Sequence, residues 1–306
     1  MKKVLITGSS GFIGNKVSTY FNVRGYNVLG LNRSECYGEF PIQKVDLLNE
    51  NEIIEVLCSF QPDIIIHCAG SADVGKSVKN PIMDYEGNVT ITHNLMFAIH
   101  RLGLENVRFV FPSSAGIYGN PESLPITEDM SIKPLSPYAV HKVMCEDLCK
   151  YFSVNYGMDI KVARIFSAYG AGLRKQIFWD MYNKYKTTER LDMFGTGNES
   201  RDYIHVDDVV QALYILATKN CSDVFYNVAN GEEVTIREAT EMFADCIGAP
   251  RNCIAFNGVV REGDPLNWKA DIGKIKNLGY KKSVNMKDGI ASYIEWVEKQ
   301  VCVFYS

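Results

Sequence analysis

The residue types able to do chemistry in this 306-residue chain gather in two stretches. "SSAGIYG" at 113–119 carries the pair Ser113 and Ser114, and "YAVHK" at 138–142 places Tyr138 four residues before Lys142. Positions i and i+4 of a helix share a face, so this spacing lets an ammonium stand beside a phenol. A free phenol titrates near pH ~10 and is a poor base at neutral pH, whereas a neighbouring positive charge in a dry cleft favours its ionised form. Ser136 and Pro137 suit the cap and first position of that helix, which would fix the direction of the tyrosine. A serine pair at the carboxyl end of a strand lies where open α/β sheets bind ligands. The two stretches are expected to converge on one carbonyl; a buried tyrosine and a surface lysine at chance spacing is the ordinary alternative.

A second motif supplies a partner for such a site. "VLITGSSGFIG" sets Gly8, Gly11 and Gly14, with Phe12 and Ile13 between the last two, directly after an apolar run and at the opening of a helix. Glycine there permits a tight turn and lets backbone N–H groups at the helix N-terminus approach a pyrophosphate. This is a dinucleotide-binding pattern. An acidic residue at the end of the second strand would favour NAD, but "VLGLNRS" ends in Asn32 and Arg33. A neutral amide and a guanidinium suit a 2′-phosphate, so NADP(H) is expected in preference to NAD(H), which stays possible.

The elements that must position these groups follow from pattern. Apolar runs rich in Val and Ile ("KVLIT", "YNVLGL", "QKVD", "DIIIHCAG", "VRFVFPSS", "IKVARIF") alternate with helical segments. Strands apolar on both faces belong to a parallel sheet covered by helices. The expected fold is α/β: a Rossmann doubly wound parallel sheet with a smaller C-terminal α/β substrate-binding lobe. Residues 1–165 form the dinucleotide lobe, with 203–229 returning to it through "DVFYNVAN"; residues 166–202 and 230–306 form the second lobe. A helix is predicted over about 175–186, and its cations Arg174, Lys175 and Lys184 are read as solvated surface.

Composition narrows the classes of function. A formal charge of −4 offers no basic face for nucleic acid. The opening "MKKVLITGSS" is too short for a signal-peptide core or a membrane span, so a cytoplasmic protein with no membrane partner is expected. Nine scattered cysteines without a CxxC pair read as reduced, buried thiols, with no metal site.

These motifs resemble the extended short-chain dehydrogenase/reductase family, in its nucleotide-sugar epimerase, dehydratase and reductase branch. The glycine turn, "VDL" at 45–47, "HCAG" at 67–70, "SSAGIYG", "YAVHK", "RDYIHVDD" at 201–208 and "REGDP" at 261–265 fall in the family's order. The resemblance implies that Tyr138 donates and accepts a proton at the sugar, that Lys142 holds the nicotinamide ribose and that Ser114 hydrogen-bonds the reacting oxygen. It places Asp46 and Leu47 at the adenine, Ala69, Gly70 and Ser113 along the cofactor, and Asn88 as a residue that steadies the site. Arg201 and Arg261 would clamp a nucleotide diphosphate, with Asp264 and Ser167 also at the substrate. It implies a homodimer through helices near 89–99 and after Tyr138.

Departures from the family pattern select among reactions. Ala115 and Gly116 stand where dehydratases carry an Asp-Glu pair, and Ala115 stands where coupled epimerase-reductases carry a cysteine, which disfavours both reactions. Ser167 replaces a common asparagine. The expected activity is NAD(P)(H)-dependent hydride transfer at C4 of a nucleotide-diphosphate sugar, foremost a 4-ketoreductase because of Asn32 and Arg33. The alternative is a 4-epimerase resembling UDP-glucose 4-epimerase, with retained NAD; a non-catalytic dinucleotide sensor is a third reading.

Overall fold

The structure, a computed structural model, describes residues 1–259 and 265–305. In chain order the first half comprises β1 (Lys3–Thr7), α1 (Phe12–Val23), β2 (Asn27–Asn32), β3 (Ile42–Lys44), α2 (Glu50–Phe60), β4 (Ile64–His67), α3 (Val74–Lys79), α4 (Pro81–Tyr85), α5 (Ile91–Arg101), β5 (Arg108–Ser114), α6 (Pro137–Tyr156) and β6 (Ile160–Ile165). There follow β7 (Ser167–Tyr169), α7 (Gln176–Thr188), β8 (Leu191–Met193), β9 (Ser200–Arg201), β10 (Tyr203–His205), α8 (Val206–Thr218), β11 (Phe225–Val228), β12 (Val234–Thr235), α9 (Ile236–Ile247), β13 (Ile254–Phe256), α10 (Gly273–Asn277) and α11 (Met286–Tyr305).

Seven strands form one sheet in the order β11-β6-β5-β4-β1-β2-β3, and its pairings are parallel. The alternation within β1 shows why it is doubly wound. Val4 and Ile6 face a cluster with Val17 and Phe21 of α1 and Val209 and Leu213 of α8. Leu5 faces the opposite cluster, with Ile53 and Leu57 of α2, Leu95 of α5, and Cys145 and Cys149 of α6. Both faces of the strand are therefore dry, as its unbroken apolar sequence requires. The strand order reverses between β1 and β4, which opens the crevice at their carboxyl ends where such sheets bind ligands.

A third hydrophobic cluster stands apart from the sheet and joins Phe178 of α7, Tyr203 of β10, Phe243 of α9 and Tyr293 of α11. Of residues 203–229, α8 packs on α1 and β11 adds to the sheet beside β6, while β10 pairs with β7 outside it. Among the described residues no helix is long and apolar enough to cross a membrane.

A buried ionic cluster ties α6 to the sheet. Glu146 of α6 accepts from Arg164 of β6, with the shortest contact at 2.8 Å, and from the Ser113 hydroxyl of β5 at 2.6 Å. Arg164 also donates to the Tyr118 hydroxyl and the Glu128 carbonyl, and all five residues are buried. Removing one partner of such a pair leaves the other charge unpaired in the interior. Glu146→Ala is expected to lower unfolding free energy by about 3–5 kcal/mol, read as an early urea midpoint; a shift below about 1 kcal/mol, the worth of an exposed pair, would contradict this role.

Candidate active site

The crevice begins at the glycine turn. Gly8 has φ +64°, and a Cβ on it would stand 2.7 Å from the Ala69 nitrogen; a Cβ on Gly14 would stand 2.1 Å from the Gly8 carbonyl oxygen. Neither position has room for a side chain. Gly11 precedes α1 with no side chain capping the helix, so its first N–H groups face the crevice unengaged by a cap. A cradle that a Cβ would fill, at an uncapped helix N-terminus, fits the pyrophosphate of a dinucleotide. Phe12 and Ile13 follow it half-buried, Ile13 against the core.

Asn32, at the end of β2, turns inward. Its Oδ1 accepts from the Ser10 amide and hydroxyl, and its Nδ2 donates to Ser9 Oγ and Cys36 Sγ. A carboxamide offers two donors and two acceptor sites, so Asn32 is saturated in stitching the glycine turn to β2 and has no donor left for a phosphate. Arg33 is exposed and makes no hydrogen bond or ion pair among the described residues. After β3, Asp46 Oδ1 accepts from the Leu48 amide, the Asp46 amide donates to Glu52 Oε2, the Leu47 carbonyl accepts from Asn94 Nδ2, and the Leu47 side chain lies in the core.

Beneath the β4 end runs a buried chain of hydrogen bonds. The Ala69 amide donates to Thr7 Oγ1, which lies 2.7 Å from His67 Nδ1; His67 Nε2 lies 3.1 Å from Thr92 Oγ1, which donates to the Asn88 carbonyl. Thr92 has spent its proton, so it accepts from Nε2–H, and Nδ1 accepts from the Thr7 hydroxyl; the neighbours thus set the tautomer. Burial, assisted by the charge of Lys142, lowers the His67 pKa to about 3 and keeps the ring neutral. Asn88, in a π-helical turn over Glu86–Thr90, aims its Oδ1 at Gly70, where a Cβ would stand 2.8 Å away. That oxygen is buried and has no partner among the described residues. Burial also pushes the Cys68 thiol up to about 12, which removes it as a base.

The catalytic candidates meet beside this chain. Ser136 caps α6 by accepting from the Ala139 amide, and Pro137 occupies the first turn. The Tyr138 amide donates to Ser77 Oγ of α3 at 3.1 Å. Tyr138 is buried up to its hydroxyl, which makes no hydrogen bond among the described residues. Lys142, also buried, donates to the Pro112 carbonyl of β5 at 3.3 Å and lies 5.9 Å from the Tyr138 ring. A Cβ on Gly116 would stand 3.3 Å from Ser114 Oγ and 3.8 Å from Ala139 Cβ, so the end of β5 and the start of α6 converge. The Ser114 oxygen accepts from the Gly116 amide, which leaves its proton free to donate. Ser113 differs: its hydroxyl is committed to Glu146, so only its backbone faces the cofactor side.

Substrate candidates lie across the crevice. Half-buried Ser167 shares a small hollow with Lys175 and Tyr203, and the Tyr203 hydroxyl is buried without a partner among the described residues. Arg201 donates to the Ser200 and Leu266 carbonyls, with its guanidinium 5.7 Å from the Trp268 ring. Arg261 and Asp264 lie outside the described residues. Lys175 departs from its reading as solvated surface: its Nζ donates to the Ala72 carbonyl at 2.6 Å, across the crevice from its own helix. Sequence reasoning assigned no role to Ser77, Thr7 or Thr92; only the i, i+4 spacing of Asn88 and Thr92 offered a signal.

A phenol beside a held ammonium and a free serine proton, at the carboxyl edge of a Rossmann-like sheet, is an arrangement able to move a proton at a bound oxygen. Comparison with known proteins narrows this. Residues 4–229 match the model of the NAD dependent epimerase/dehydratase family, and the chain belongs to that family. It is 30% identical over 315 residues to the UDP-glucose 4-epimerase of Mycolicibacterium smegmatis, covering 96% of this chain and 98% of that one. Among solved structures it resembles MoeE5 in complex with UDP-glucose and NAD (TM-score 0.87, 30% identity, 98% of this chain and 99% of the other covered). MoeE5 is also solved with UDP-glucuronic acid and NAD. The UDP-glucose 4-epimerase of Thermus thermophilus, in complex with NAD, matches with TM-score 0.85 at 26% identity, over 97% and 99% of the two chains.

Gly14→Ala places a methyl group against the Gly8 carbonyl and forces α1 away from the turn. We expect dinucleotide affinity, measured by titrating protein stripped of cofactor, to fall at least tenfold, about 1.4 kcal/mol. Unchanged affinity would mean that the dinucleotide does not bind at this turn.

Proposed function

We propose that the chain is a nucleotide-sugar 4-epimerase that keeps NAD bound through turnover. The observation that carries this reading is the pairing of the Tyr138 hydroxyl, unengaged among the described residues, with held Lys142 and proton-donating Ser114, with no acid or thiol at Ala115 or Gly116 to redirect the reaction. The similarity to UDP-glucose 4-epimerases and to MoeE5 supports a UDP-hexose substrate.

The same features favour an epimerase over the 4-ketoreductase suggested by Asn32 and Arg33. That suggestion rests on a 2′-phosphate site, to which Asn32, saturated inside the glycine turn, offers no donor, so it rests on Arg33 by itself. NAD is therefore the proposed cofactor, as bound in the structural relatives. The segment 170–175 also spans the crevice: a Cβ on Gly172 would stand 3.4 Å from Phe12, and Lys175 reaches Ala72. A strap over the dinucleotide suits a cofactor that stays.

When bound, NAD supplies a reversible acceptor for the C4 hydrogen and its electron pair. The chain's residues manage the rest. Tyr138, beside Lys142, acts as the general base and takes the proton of the C4 hydroxyl as the carbon is oxidised. Ser114 donates to the same oxygen as it becomes a carbonyl. After the ketone turns its other face, Tyr138 returns the proton and C4 is restored with inverted configuration. Arg201 holds the diphosphate in this reading.

A second copy of the chain is the proposed partner. Phe97 of α5 and Met144, Tyr151 and Val154 of α6 are exposed on one face, beside a groove lined by Tyr85, Val89 and His93. Pairing α5 and α6 with their symmetry mates would bury this face as an isologous interface; a sedimentation mass of one chain would exclude it.

Tyr138→Phe is expected to lower turnover of UDP-glucose or UDP-galactose by about 10²–10⁴-fold, the range of general acid–base catalysis, with stoichiometric NAD recovered from the denatured variant. Near-normal turnover, or NADP(H) recovered from freshly purified wild-type protein, would contradict the proposal.

A further inference from the structure

The segment that runs from α3 to the π-helical turn grips α6 at two points, one at Tyr138 and one next to Lys142. At the first, Ser77 Oγ accepts from the Tyr138 amide at 3.1 Å and donates to the Val74 carbonyl. At the second, His141 Nδ1 stands 2.7 Å from Asp84 Oδ2, and both side chains are buried. A carboxylate only accepts, so the imidazole is the donor. The other Asp84 oxygen is buried and has no partner among the described residues, which leaves His141 as the group that holds this side chain. The Tyr85 ring meets the imidazole edge-on, with centroids 5.5 Å apart.

Asp84 faces two ways. Its side chain holds α6, and its backbone carbonyl accepts from Asn88 Nδ2 at 3.0 Å. That bond orients the carboxamide whose Oδ1 is aimed at Gly70, while the Asn88 carbonyl belongs to the hydrogen-bond chain that ends at the Ala69 amide. One residue therefore joins the helix that carries the phenol and the ammonium to the backbone that the dinucleotide reading sets along the cofactor. The charges of Lys142, Glu146 and Asp84 all act on the buried Cys145 thiol, so they share one poorly hydrated layer. A buried pair of this kind adds little net stability over apolar residues of similar volume, and its best-attested use is to fix an arrangement.

We propose that Asp84 and His141 are positioning residues of the reaction, which set Tyr138 and Lys142 on α6 in register with the Gly70 wall of the crevice. This rests on the epimerase reading above. Proton and hydride transfer at one carbon need the phenol, the sugar and the cofactor aligned together, and a misplacement of about 1 Å costs about 10²-fold in rate. Ser77 fixes the start of α6; the Asp84–His141 pair fixes its next turn, and with it the rotation of the helix about its axis. The pair acts through Asn88 and through the backbone of α6, not by contact with the reacting atoms.

Three variants separate position from fold. His141→Leu leaves Asp84 buried without its partner, Asp84→Leu with His141→Leu removes both polar groups, and His141→Asn keeps a donor, because its amide nitrogen takes the place of Nδ1. For each, kcat and KM are measured with UDP-glucose or UDP-glucuronate, whichever the wild type epimerises, together with bound NAD and the urea midpoint. His141→Leu is expected to unfold earlier and to lose about 10- to 100-fold in kcat, with KM and bound NAD unchanged. The double variant should regain the midpoint but not the turnover, and His141→Asn should keep most of both. Turnover regained along with the midpoint in the double variant would overturn the proposal and leave the pair as a tie within the fold. If His141→Leu does not fold, the double variant and His141→Asn decide by the same criteria. If NAD-loaded wild type epimerises neither sugar nucleotide, the epimerase reading fails separately. The emission of NADH bound in place of NAD then decides the role of the pair: a spectrum changed in the double variant and restored in His141→Asn supports it, and identical spectra overturn it.

Discussion

The structure depends on how closely the backbone of the glycine turn approaches the end of β4. Gly8 packs against Ala69 and Gly14 against the Gly8 carbonyl, at separations that exclude any side chain. That contact seats α1 with its N-terminus open to the crevice. It also brings Thr7 beside His67, from which buried hydrogen bonds run through Thr92 to Asn88. Polar groups without water must be paired, and here the pairing fixes the cofactor-facing backbone at Ala69. One steric constraint thus shapes the crevice floor and, through α5, its wall.

Helix α6, which carries the proposed catalytic pair, is then held by the protein's own contacts. Ser136 caps α6, Ser77 accepts from the Tyr138 amide, Lys142 reaches the Pro112 carbonyl, and Glu146 joins Arg164 and Ser113 in the interior. His141 adds a contact to Asp84 at 2.7 Å. These anchors lie along one face of the helix and point it at the ends of β4 and β5. Preorganisation of this kind places the phenol and the ammonium before substrate arrives, so the side chains need little rearrangement as charge develops.

The large sheet was legible because its strands, such as "KVLIT" and "DIIIH", are apolar on both faces, and only a parallel sheet with helices on each side buries such runs. The cap and first turn of α6 were legible from Ser136 and Pro137, since capping is a local matter. The two- and three-residue strands β7, β9 and β10 carry no period long enough to detect, and their pairing is set by distant segments. The directions of Asn32 and Lys175 were not legible, for a shared reason. Residue type predicts what a side chain can bind, but its direction depends on backbone elsewhere: Ser9 and Ser10 draw the amide of Asn32 inward, and Lys175 crosses to Ala72 beside a left-handed Gln176.

The central claim is that oxidation and reduction occur within one binding event, at one carbon, on a dinucleotide that does not leave. A sugar nucleotide carrying deuterium at C4, offered as the UDP-glucose and UDP-glucuronate isotopologues, tests it directly when the protein is incubated with excess unlabelled NADH and NADPH and the product is read by NMR and mass. The account predicts an inverted C4 that keeps its deuterium. Replacement of the deuterium by hydrogen from the added NADH or NADPH, or no product inverted at C4, would contradict it: the first outcome means that the reduced cofactor exchanges between the two half-reactions, and the second that the protein does not epimerise this carbon.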